Sequence, residues 1–255
     1  MFSEHGITAQ DVENARLGYP SPFYGLKNLP ARLPRIQAFL DELRSNAGNW
    51  LATVENVLAG LFPDESLDIC VFPIIGYDMG IGLDGAVCMN CNHVPYLDEP
   101  LEFLFYIIHE CVHVVYERHH HVPALAEVQT PVQWRRYFAL WMQNEGFAVY
   151  APLRLRQVHG YLDERDYRVL CDEDQMNLLR LSLLDVLRQL DSDEPLTRAE
   201  YLECCFGDQR LTYRMGCALI QRIEDEHGMQ AVRQAFTMDG EAFLASWRGF
   251  VGAGM

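Results

Sequence analysis

Positive charge is what this chain has least of. Twenty Lys and Arg stand against 36 Asp and Glu, giving a formal net charge of −16 at pH 7 and a pI near 4.9. A surface of that sign repels phosphate backbones and anionic lipid headgroups, which argues against nucleic acid as a partner. Long apolar runs are missing as well, so no membrane-spanning segment is expected. The first residues, Met1-Phe-Ser-Glu-His-Gly-Ile-Thr, have neither the basic start nor the apolar stretch of a secretory signal, and the expected location is the cytoplasm. Internal repeats and low-complexity tracts are absent too. The 49% hydrophobic and 22% charged composition is that of an ordinary globular chain rather than a disordered or fibrous one.

The eight cysteines, Cys70, Cys88, Cys91, Cys111, Cys171, Cys204, Cys205 and Cys217, suit a disulfide framework only in a smaller secreted protein. Most read as reduced core thiols. Cys88-Met-Asn-Cys91-Asn-His93 has thiolate spacing suited to a structural zinc, but no second Cys-x-x-Cys pair accompanies it. The other reading of Cys88 and Cys91 is as small apolar residues on a strand.

Along the chain, a Gly- and Pro-rich opening leads into 33–61, whose apolar spacing predicts two helices. Leu67-Asp-Ile-Cys-Val-Phe-Pro-Ile-Ile75 and Gly85-Ala-Val-Cys-Met-Asn90 are the one convincing β-sheet region. Beyond it nearly everything reads as helical, over about 97–121, 131–158, 163–190, 197–206, 211–227 and 229–250. The expected fold class is α+β, predominantly helical, with a small sheet before a larger set of helices. We expect a single domain over 1–255, with possible sub-lobes at 1–121 and 122–255.

Within the first long helical stretch, Leu101 to Tyr116 is apolar almost all round, the mark of a buried helix. It carries His109-Glu110-Cys111-Val112-His113. Histidines four apart project from one helix face about a turn apart, as two nitrogen ligands of one tetrahedral zinc require. Glu110 lies about 100° round the helix, where its carboxylate can reach a water without being a ligand. Three polar groups in an apolar helix need partners, since unpaired burial costs several kcal/mol. A pair of core histidines satisfied by hydrogen bonds is the other reading.

A third protein ligand has two candidates. Glu145 sits in the stripe Trp134, Phe138, Trp141, Glu145, Ala148, Pro152, whose three- and four-residue spacing marks one buried face of the 131–158 helix. A buried carboxylate takes up a proton or meets a cation. That cation is either the metal or an arginine of the same helix, at 135, 136, 154 or 156. Gly146 beside it permits close helix approach. The second candidate, His119, would need the chain to turn back near position 116, but that residue is Tyr, for which a left-handed backbone is costly. His119-His-His121 therefore reads as an exposed helix end.

The buried helix with His109-Glu110-x-x-His113, followed by Asn144-Glu145-Gly-x-Ala on the next helix, resembles the gluzincin group of zinc metallopeptidases over about 97–158. The resemblance implies a zincin-like fold with His109, His113 and Glu145 as ligands of Zn2+ and Glu110 as general base. It further implies that the strand region 80–90 lines a cleft in which an extended peptide or protein substrate pairs with a sheet edge. Many members place an Asp four residues after the Glu ligand, where this chain has Val149. A Tyr or His on a later helix often stabilises the oxyanion, which makes Tyr213 a catalytic candidate beside the plainer reading as a core tyrosine. The expected function is metal-assisted hydrolysis of a peptide, and the alternative is a catalytically silent binding or regulatory protein with the same fold.

Overall fold

In the computed structural model, residues 26–76, 79–83, 85–192 and 196–252 are described; the Gly- and Pro-rich opening falls outside them. The chain is predominantly helical with one three-stranded sheet. It divides into two compact units, one containing the chain up to Gly60 with Asp64–Val114, the other Leu61–Pro63 with Val115 onward. The division falls inside the helix of the His-Glu-x-x-His segment, between Val114 and Val115. No helix among the described residues is long and apolar enough to cross a membrane.

The first unit opens with α1 (Leu29–Leu61), one continuous helix where two were expected. The polar stretch Ser45-Asn46-Ala47-Gly48-Asn49 reads as a break, but Ser45 and Asn46 turn their side chains back onto the carbonyls of Asp41 (2.8 Å) and Glu42 (3.0 Å). They thus sit in a helix interior without capping one. Strands β1 (Cys70–Ile74), β2 (Gly80–Leu83) and β3 (Ala86–Asn90) follow. The sheet order is β1-β3-β2, with β1 parallel and β2 antiparallel to β3. β2 lies at the start of the 80–90 stretch that the resemblance reads as strand. Its hairpin with β3 turns at Gly85, whose φ of 80° suits glycine. Val87 and Met89 of the central strand are fully buried, whereas Phe72 on the β1 edge is half exposed.

After β3 the chain is clipped by one side chain. The Asn90 amide donates to the Gly76 carbonyl (2.9 Å), and its oxygen accepts from the backbone of Asn92 (3.0 Å) and Gly76 (3.3 Å). Two helices follow, α2 (Val94–Asp98) and α3 (Pro100–His119). Pro100 starts the second without needing an N–H there, so the helix expected from 97 is two pieces. Phe103 of α3 meets Phe39 of α1 edge-on at 5.1 Å and Tyr96 of α2 at 5.3 Å, forming the aromatic heart of this unit.

The second unit is built around α4 (Pro131–His159), started by a capping box between Thr130 and Gln133 and ended at Gly160 with φ 75°. Every residue from Met142 to Leu153 is buried, so the single stripe read from the sequence is in fact a fully enclosed middle section. Around it lie α5 (Arg165–Leu170), α6 (Glu173–Leu190), α7 (Arg198–Phe206), α8 (Leu211–Thr237) and α9 (Gly240–Gly252). The helix expected over 163–190 is cut where Asp172 caps α6 by accepting from Gln175 N at 3.0 Å. α8 bends at Gly228 but continues to Thr237. The stretch read as one helix over 229–250 therefore joins the end of α8 to α9, whose start is held by Asp239 accepting from Glu241 N at 2.9 Å.

Where α4 crosses α8, Gly146 faces Gly216. A Cβ on Gly146 would stand 2.7 Å from the Gly216 Cα, and one on Gly216 would stand 2.1 Å from the Met142 carbonyl oxygen. The close approach expected at Gly146 is thus made against another glycine.

Candidate metal site

His109, Glu110 and His113 lie on α3, where Phe105, Ile108, Val112 and Val115 are buried around them. The two imidazoles turn the same way: His113 Nε2 is 3.2 Å from His109 Nε2. Two nitrogens each about 2.0–2.1 Å from one tetrahedral ion stand about 3.3 Å apart. The observed spacing is therefore that of two ligands sharing a zinc. In the metal-free chain it equally lets one ring donate to the other.

Glu110 is buried, and its carboxylate Oε2 accepts the backbone N–H of Gly82 at 2.8 Å. This bond requires β2 to lie against α3. A Cβ on Gly82 would stand 2.2 Å from the Glu110 carbonyl oxygen and 3.3 Å from the His113 Cβ, and one on Gly80 would stand 3.1 Å from the Glu110 Cγ. Gly82 is thus a site residue that the sequence reading missed, because Gly80-Ile-Gly82 resembles turn glycines as well as strand ones. The edge amide expected to be open to a peptide is, at Gly82, taken by Glu110. Between the histidines, burial and then the Glu110 charge push the Cys111 thiol up to about 12, so Cys111 is a neutral packing residue.

Glu145 is 5% exposed on α4 in the second unit, facing the core as its spacing indicated. The arginines of its own helix take other partners. Arg135 pairs with Asp191 (3.0 Å) and Glu241 (3.3 Å), Arg136 with Glu241 (3.1 Å), and Arg156 lies 4.3 Å over the Tyr167 ring. Arg154 is exposed. The groups around Glu145 come instead from the start of α8. Burial followed by the Glu145 charge raises the Tyr213 pKa, with Arg210 opposing. Burial tends to discharge Arg210, but Asp166, Tyr213 and then Glu145 outweigh it and hold the guanidinium charged.

Asp166, Arg210 and Arg214 were not singled out from the sequence. Pairing across 44 and 48 positions leaves no local signal. Arg214 at the core-facing start of an apolar helix was the available hint, since a buried cation needs a partner.

One donor atom each from His109, His113 and Glu145 lies within 4.8 Å of the others, a group that can hold a metal ion. Two imidazoles and a carboxylate suit zinc in chemistry and number, and leave a fourth position open. His119 and His121 are exposed at the end of α3, as expected, but His120 is half buried, stacked 4.1 Å over Tyr116, with Nε2 2.7 Å from the Phe236 carbonyl. Tyr116 is helical and buried, so the chain does not turn back there.

Cys88, Cys91 and His93 form no such metal-holding group among the described residues. Burial pushes Cys91 up to about 11, and its thiol points to the Met89 carbonyl. All eight cysteines are free of disulfides, four of them buried, while Cys70 and Cys171 are exposed rather than in the core. An open cavity of about 390 Å³ in the second unit, lined by Val128, Trp134, Leu196 and Arg198, contains none of the site residues. No family model, no curated protein and no solved structure matches the chain.

Proposed function

We propose that this protein is a zinc-dependent hydrolase of the gluzincin type, with a zincin-like fold, that cleaves peptide bonds. His109, His113 and Glu145 would hold the zinc, and Glu110 would be the general base. The observation that carries the reading is the 3.2 Å separation of the two imidazole nitrogens, one helical turn apart on a buried helix with a carboxylate beside them. Zinc held there supplies a Lewis acid and lowers the pKa of a water toward about 7.

The chain's own residues do the rest. Glu110 takes the proton from the attacking water and returns it to the leaving amine. Gly82 fixes the orientation of that carboxylate through Oε2. Glu110 itself is buried, so its charge acts at a lower dielectric than in water.

The test is Glu110→Gln in zinc-loaded protein, assayed with a mixed peptide library. The substitution should leave bound zinc unchanged and lower hydrolysis by about 10²–10⁴-fold. Wild-type protein that holds zinc yet cleaves no peptide would refute hydrolysis and leave a silent binding or regulatory protein.

A further inference from the structure

β2 is an edge strand of the sheet, so one side of its backbone pairs with β3 and the other faces away. The register decides which residues face out. In an antiparallel ladder, residues that exchange both bonds with the partner alternate with residues that turn theirs outward. Asn90 N donates to the Met79 carbonyl at 2.9 Å, and Ile81 stands opposite Cys88, two positions further along each strand. Ile81 and Leu83 therefore bond inward to β3, while Gly80 and Gly82 present their N–H and C=O groups outward. The bond from Gly82 N to Glu110 agrees with that assignment.

An outward edge is where an extended peptide can add as a further strand. In this chain Glu110 occupies it. Its Oε2 accepts Gly82 N at 2.8 Å, and a Cβ on Gly80 would stand 3.3 Å from its Oε1, so one carboxylate lies along both outward residues. β2 also rests directly on the α3 backbone, since a Cβ on Gly82 would stand 2.2 Å from the Glu110 carbonyl oxygen. Gly82 and Glu110 are both buried. A substrate that laddered along β2 would have to place a carbonyl on Gly82 N, displacing the carboxylate that the proposed reaction needs in place. Of the described outward groups, that leaves the N–H and C=O of Gly80, which can exchange bonds with one substrate residue.

We infer that the site takes short amides, such as N-acylated dipeptides, anchored on β2 through a single residue at Gly80, and that chain beyond that residue gains nothing from the sheet. It rests on the zinc hydrolase proposed above and replaces the extended substrate that the resemblance implies. The Gly82 to Glu110 bond is then what limits substrate length. On an open edge, each further residue pair would add two backbone bonds, raising affinity about 5–150-fold.

The experiment uses zinc-loaded, full-length wild type and N-acetylated peptides that share one cleavable bond and lengthen by two residues at a time. It reads kcat/KM, the effect of N-methylating successive residues of the longest peptide, and the NMR signal of the Gly82 amide with a non-cleavable analogue of that peptide bound. From the dipeptide upward kcat/KM should stay level within about threefold, and N-methylation should lower it at one residue only. The Gly82 amide should keep its position while other signals of the site move. A rise of about 5–150-fold with each added pair would overturn the inference and leave the hydrolase standing. So would sensitivity to N-methylation at two or more alternate residues, or a Gly82 amide that shifts when the long analogue binds. Zinc-loaded protein that cleaves neither this series nor a mixed peptide library would overturn the hydrolase and the inference together.

Discussion

Gly82→Ala is the sharpest structural test of how β2 and α3 build the site. The added methyl would stand 2.2 Å from the Glu110 carbonyl oxygen, which is backbone and cannot swing aside. An ordinary contact needs about 1 Å more, so β2 must withdraw by roughly that distance. The 2.8 Å bond from Gly82 N to Glu110 Oε2 then passes out of hydrogen-bond range. Overpacking of this kind costs about 1–3 kcal/mol, and a lost bond to a buried charged group about 1.5–3 kcal/mol. The sum is a destabilisation of about 2.5–6 kcal/mol, read as a lower urea midpoint in equilibrium unfolding. Gly48→Ala is the control: it lies in α1, and its Cβ would meet nothing within 4 Å, so it should stabilise by about 0.5–1 kcal/mol. Gly82→Ala within about 0.5 kcal/mol of wild type, at unchanged slope, would refute the close packing of β2 on α3.

Gly216→Ala should cost about 3 kcal/mol through its clash with the Met142 carbonyl. Because Gly146 and Gly216 share one contact, the double alanine variant should cost less than the two single ones added, measured by a double-mutant cycle in urea. His93 gives a pH dependence. Burial first, then Arg32, holds it down to about 4 in the folded chain. An unfolded histidine titrates near 6.5, so between about pH 6.5 and 4 the unfolded chain binds the extra proton and stability falls with pH. The contribution is on the order of 3 kcal/mol, present above about pH 6.5 and lost progressively toward pH 4. His93→Gln should flatten that part of the stability curve, and an unchanged slope would contradict the assignment.

What was legible in the sequence followed from local patterns. The helix bearing His109 and His113 stands out because apolar residues on every side leave its polar groups without local use. Glu145 stands out because aromatic residues precede it at helical spacing, and both it and its neighbour Gly146 lie in the core. Boundaries failed where polar residues serve two roles: Ser45 and Asn46 bond back along one helix instead of breaking it. β2 was legible through the resemblance alone, because glycines chosen for close approach look like turn glycines. The Asp166, Arg210 and Arg214 cluster was illegible for another reason. It exists only once α5 and α8 pack on α4, and neither periodicity nor composition encodes a pairing between distant positions.

Metal content of the purified protein tests the central claim most directly. After equilibration with zinc and removal of loosely bound ion, wild type should retain about one zinc per chain and His113→Ala close to none. A wild type without zinc, or a His113→Ala protein that retains as much as wild type, would contradict the assignment of His109, His113 and Glu145 as a metal site.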